Sequence, residues 1–196
     1  MLISEAGLVR AVKGAYKGGG YTVVNKGDSV VIFAATWYVE CKWNLLPRKV
    51  LAIIVEHAGM IPREDEPVRI VKDTDPQLVM SQSVAESISV WRGGCFNGTA
   101  TMVPVIMQTL QLFQKPGGGP CWGVGLIRLG ILEIDNAEHD SALVNEDGRL
   151  MWEGYHENEE TVVLYAERKM DYRAQPWERD VWAALESVDL HKGEET

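Results

Sequence analysis

The chain has 196 residues, 46% of them hydrophobic, and a formal charge of −9, which is enough apolar material for one real core or two small ones. Three cysteines cannot all pair with one another and the opening residues carry no charged-plus-apolar leader, so a reducing, cytoplasmic setting without a disulfide framework is expected. No apolar run approaches the roughly 18 residues of a spanning helix, which points away from a membrane, and the acidity disfavours broad wrapping of a phosphate backbone while leaving room for a local basic strip.

The first predicted element is an amphipathic helix. Ser4 supplies its N-cap, Leu8, Val9, Val12, Ala15 and Tyr16 share one face, and Gly18, Gly19 and Gly20 stop it. Residues 21–24 and 29–34 then form a hairpin about Asn25, Lys26, Gly27 and Asp28, residues that tolerate tight turns. Pro47 opens a second helix, where its missing N–H costs nothing, and Val50, Leu51, Ile54 and Ala58 make the stripe up to Gly59 and Pro62. Strands at 68–71 and 77–80 follow around Asp73, Thr74 and Asp75. The order helix, strand, strand thus occurs twice, with sparse identities such as Leu8 with Leu51 and Val12 with Val55.

Residues 81–98 begin polar and end in Val90, Trp91 and a glycine pair, and they read as a boundary or long connection. It divides a repeated helix and hairpin half, residues 1–92, from a β-rich half with a C-terminal helix, residues 93–196, although the halves can equally share one core. In 99–114 a helical set (Ile106, Leu110, Phe113) competes with an alternating set (Thr101, Val103, Val105, Met107). Extended structure is expected there, with Pro104 awkward for a central strand. Residues 116–120 form a loop, and the near-continuous apolar run 126–134 predicts a buried strand. A hairpin at 141–144 and 150–154 and a strand at 161–167 come next. Pro176 starts a last helix, with Trp177, Val181, Ala184, Leu185 and Val188 on one stripe and Trp182 at its edge. The short connections leave no space for crossover helices, so the expected class is α+β: helices packed on a mixed, mainly antiparallel sheet.

Several residues carry chemistry worth weighing. Arg10, Lys13 and Lys17 recur at three- and four-residue spacing on the first helix, and Arg48 and Lys49 open the second, the end where the helix dipole disfavours cations. A solvated face is the plain alternative to partner binding. Trp182 is either a large core residue or a partner anchor. Cys95 and Cys121 sit in glycine-flanked loops that could supply oxyanion-hole N–H groups, yet nothing in the sequence places a histidine and an acid beside either sulfur. Glu133, Asp135, Glu138, His139 and Asp140 have the ligand types for a divalent cation, at spacings that match no known loop. His57 falls on the second helix's stripe and reads as a hydrogen-bonded boundary residue. Gly18, Gly19 and Gly20 follow a helix and lead into a strand, the reverse of a phosphate loop, and no dinucleotide fingerprint is present. Asn97, Gly98 and Thr99 read as a turn rather than a glycosylation acceptor. No metal or cofactor is expected.

The repeated helix-then-strands order resembles the half-domains of DNA sliding clamps, in which helices line a positively charged hole and strands close the outer wall. The likeness covers at most the front half and contains no diagnostic motif, so it assigns no residue. It implies a DNA-associated accessory role. The expected function is accordingly a non-enzymatic interaction protein with a protein or DNA partner, able to form homo-oligomers. Two alternatives remain: a thiol-dependent enzyme using Cys95 or Cys121, and a small-molecule binding domain with a pocket built from some of Trp37, Trp43, Trp91, Trp122 and Trp152.

Overall fold

A computed structural model of the chain describes residues 2–133, 140–145, 147–154, 159–168 and 174–192. The front of the chain supplies α1 (Glu5–Gly18), β1 (Tyr21–Asn25), β2 (Ser29–Phe33), β3 (Trp37–Lys42), α2 (Arg48–Ala58), β4 (Val68–Ile70) and β5 (Gln77–Leu78). It continues through α3 (Ser81–Arg92), β6 (Gly98–Met107), β7 (Leu110–Gln114), β8 (Cys121–Gly125) and the single-turn α4 (Leu126–Leu129). The last elements are β9 (Ser141–Val144), β10 (Arg149–Glu153), β11 (Glu160–Tyr165) and α5 (Pro176–Glu186).

The eleven strands form one sheet in the order β5-β4-β1-β2-β3-β11-β10-β9-β6-β7-β8, and each neighbouring pair is antiparallel. The α+β class expected from the sequence is therefore the observed one. β3 pairs with β11 in the middle, Val39 opposite Val162 and Tyr38 opposite Val163, so the sheet passes through the junction between the two halves. The main core does the same, joining Leu8, Val12, Val30 and Ile54 to Ala100, Phe113, Leu150 and Leu164.

Alternation along the strands sorts side chains to two faces. Val30 and Ile32 point to the face covered by α1 and α2, while Val31 points to the face covered by α3. The two front helices bury the residues their spacing marks: Leu8 and Val12 from α1, Val50 and Ile54 from α2. α2 ends where Gly59 enters the left-handed region at φ 76° and its N–H reaches the Val55 carbonyl at 2.8 Å.

The helix, strand, strand order is present twice, with β3 added to the first unit. The helices run the same way on one face: Glu5 meets Lys49 at their starts and Tyr16 stacks on His57 at their ends. β1 and β4 nevertheless run oppositely. No rotation carries one unit onto the other, so the echo is one of element order.

Three segments depart from the sequence expectations. Residues 81–92 form α3 rather than a polar connection; Val84, Ile88 and Trp91 recur at spacings of four and three, and this sparse stripe packs on Val31, Tyr38, Met151 and Val163. Arg92 ties its end to the sheet through Glu40 at 2.9 Å. The run 126–134 is not a strand where it is described. β8 has already ended at Gly125, and α4 turns the chain so that Leu129, Ile131 and Leu132 slide under α1. There Ser4 N–H donates to Ile131 O at 2.8 Å and Ile3 bridges Leu132. Third, α5 docks through Trp182 and Leu185, leaving Trp177, Val181 and Val188 of the expected stripe exposed.

The doubtful segment 99–114 is extended, as β6 and β7. Pro104 is accommodated because β9 pairs only as far as Thr101, and the β6–β7 register shifts between Met102 and Ile106.

Candidate functional site

Burying Leu8 and Val12 turns the opposite side of α1 outward, and with it Arg10, Lys13 and Lys17, all exposed. α2 does likewise for Arg48 and Lys49. The two helices lie side by side and all five cations of the sequence reading are exposed on them, Arg10 on the flank of α1 toward Gly130. Lys49 is spent on Glu5 at 2.7 Å, and its hydrogen bond holds that carboxyl below the ordinary value. Among the described residues the other four make no ion pair. The exposed Glu56 of α2 is the acid that dilutes this face.

His57 closes the helix pair at its far end. Its ring stacks on Tyr16 with centroids 3.8 Å apart, and its Nδ1 lies 3.0 Å from the Tyr21 hydroxyl. Burial drives its pKa below the usual imidazole value, with the Lys13 charge in the same direction and Glu56 opposing. This is the hydrogen-bonded boundary histidine expected from its position.

Trp182 is not on the surface. It is 0% exposed, packed with Leu110 and Leu112, and its indole N–H donates to Cys121 O at 3.3 Å. Packed against the β7–β8 hairpin with its indole satisfied there, Trp182 faces inward and cannot anchor an outside partner.

Carboxylates stand near the two buried thiols, Glu186 by Cys121 and Glu160 and Glu40 by Cys41. Cys121 is buried; desolvation, followed by the Glu186 charge, pushes it up to about 11, and its Sγ lies 3.8 Å from Gly119 O. Cys41 is buried and pushed up to about 12, again chiefly by desolvation. A nucleophilic cysteine needs the opposite direction. Cys95 is exposed on the loop after α3. Of the acidic set, Asp135, Glu138 and His139 lie outside the described residues, as does His156. Among the described residues no three His, Cys, Asp or Glu side chains are grouped to hold a metal ion.

A second feature joins two of the tryptophans named for a pocket to arginines that the sequence did not mark. A cleft of about 990 Å³ wraps the end of the sheet at the β2–β3 turn, running from α1 on one face to α3 on the other. Four arginines line it: Arg10 from α1, Arg69 from β4, Arg128 from α4 and Arg149 from β10, against one carboxylate among its described residues, Glu86. Trp37 and Trp91, two of the tryptophans named for a pocket, also line it. Arg149 lies over the Trp91 ring at 5.7 Å and pairs with Asp147 at 3.1 Å. Arg69 Nη2 donates to Gly19 O at 2.8 Å, and Arg128 Nη1 to Tyr165 O at 3.4 Å. The four come from segments far apart in sequence, and no local pattern marks them. Only Arg10 belonged to the sequence-level set.

No helix among the described residues is long and apolar enough to cross a membrane. Comparison with known protein families, curated proteins and solved structures finds no match to this chain.

Proposed function

We propose that this chain is a non-enzymatic interaction protein that meets DNA through the outward face of α1 and α2. The observation that supports this reading is that Arg10, Lys13, Lys17, Arg48 and Lys49 are exposed on two adjacent helices, four of them without an acidic partner among the described residues, in a chain of net charge −9. Acidity elsewhere keeps the protein from coating nucleic acid indiscriminately and leaves this strip as an attractive surface for a duplex. Rigid helices present the cations at fixed spacing, which suits backbone phosphates rather than bases.

The test is fluorescence anisotropy with labelled duplex DNA. Neutralising about four phosphates gives a salt slope near −3.6, so affinity falls by about 10²-fold between roughly 50 and 200 mM salt. Lys13→Glu with Lys17→Glu weakens binding by a further tenfold or more, on the order of 1 kcal/mol per lost contact. Binding that ignores both salt and the double substitution rejects the proposal. The clamp-like version, in which such a helix pair lines a hole, needs several copies around the duplex, and sedimentation of the free chain reads that separately. The small-molecule alternative draws support from one specific feature, the cleft with Trp37 and Trp91.

A further inference from the structure

We infer that the cleft at the β2–β3 turn is a binding site for a nucleotide unit, phosphate and planar ring together, offered by a free mononucleotide or by a single-stranded segment. Charge comes first: four guanidiniums line the cleft with Glu86 the one carboxylate in its described lining, and Asp147 and Glu167 pair with two of them from outside it, so positive charge is in excess in a molecule that is acidic as a whole. Self-repulsion among four cations costs free energy in the empty cleft, and an anion removes that cost.

Two of the four arginines are held by carbonyls that orient them without cancelling their charge, and the other two each meet one carboxylate. Arg69 rests on the Gly19 carbonyl, Arg10 Nε on the Ala6 carbonyl at 3.3 Å, and Arg128 on the Tyr165 carbonyl. Glu167, 3.8 Å from Arg128, partly offsets that charge, and the Asp147 partner of Arg149 is itself 65% exposed, so water screens the pair. Each fork keeps N–H donors for a phosphate, which guanidinium geometry matches bidentately.

The ring has a place as well. Arg149 and Tyr165 stand directly opposite each other on β10 and β11, on the same side of the sheet. Trp91 lies beneath the guanidinium, and Tyr165, 43% exposed, stands beside it. A planar base can stack on this platform while its phosphate meets the neighbouring arginines, the combination that single-stranded nucleic acid and nucleotides share. At about 990 Å³ the cleft is at the upper end of small-ligand sites, and its course around the sheet end admits a strand.

The site is independent of the DNA-binding face apart from Arg10, which serves both. Titration of the full chain, read by tryptophan fluorescence and calorimetry, uses a purine nucleoside triphosphate, its nucleoside, inorganic phosphate, a short oligothymidylate and a short oligoglutamate. The nucleotide or the oligothymidylate binds, and the nucleoside and inorganic phosphate are each at least about tenfold weaker. Arg69→Ala and Arg149→Ala each weaken the tighter ligand by about tenfold or more, the loss expected of a charge-assisted bond, while duplex binding to the helix face is kept. Lys13→Glu does the reverse. Tighter binding of the oligothymidylate identifies a single strand as the source, and tighter binding of the triphosphate identifies a free nucleotide. No binding up to about 1 mM, binding undiminished in both arginine variants, or preference for oligoglutamate overturns the inference, and none of these touches the duplex result.

Discussion

Trp182 and His57 show how a single side chain is read from spacing and then settled by its neighbours. Trp182 is 0% exposed and joins α5 to β7 and β8. Trp182→Ala is expected to cost about 3–5 kcal/mol, since it removes a large packed ring and its indole hydrogen bond; chemical denaturation measures it, and a loss below about 1 kcal/mol would place the ring outside the core. His57 carries a pH dependence. In the unfolded chain it titrates near the ordinary 6.5 and in the folded chain lower, because it is partly buried. The folded state therefore binds fewer protons in that window, its stability is whole above pH 6.5, and it declines as the pH falls below that value. His57→Gln is expected to flatten this decline between about pH 7.5 and pH 5. Identical melting profiles for the two proteins would show that the imidazole is not coupled to folding. The sequence placed His57 correctly because a stripe position in a helix constrains a residue strongly. It left Trp182 open because an edge position does not.

At the scale of elements, α1 does three jobs at once: one side seals the core, the other presents cations, and its start abuts the turn after α4. A Cβ at Gly7 would overlap the Gly130 carbonyl, backbone against backbone. Gly7→Ala is expected to destabilise by about 1–3 kcal/mol or more through overpacking. A methyl added at Gly14 in the same helix would meet nothing within 4 Å, so Gly14→Ala is expected to stabilise by about 0.5–1 kcal/mol from helix propensity. Thermal melts of the pair should move in opposite directions, and movement in the same direction would contradict this account of α1. α1 and α2 were legible in sequence because their apolar periods are dense and glycine stops them, and α5 because Pro176 marks its first turn. α3 was not, since Val84, Ile88 and Trp91 sit among serines and only the sheet face beneath them makes three residues enough.

For the whole molecule the decisive contact is between β3 and β11. It unites strands more than a hundred residues apart, and α1 leans on Leu129 and Ile131 from the later half. A fragment of residues 1–92 would expose β3 as an open edge together with half of the main core. It is expected to lack cooperative unfolding by circular dichroism and to aggregate, while the full chain melts in one transition. A well-folded fragment would mean that the front half is self-sufficient. By itself the sequence determined the class of fold, the outward placing of Arg10, Lys13 and Lys17 on α1, and the hairpins β1–β2, β4–β5 and β9–β10, because each depends on local period and turn chemistry. Only the tertiary structure decided that one sheet runs through both halves, that Trp182 is interior, and that Arg10, Arg69, Arg128 and Arg149 meet in one cleft. Those outcomes depend on which distant strands pair, and a local pattern holds no record of that.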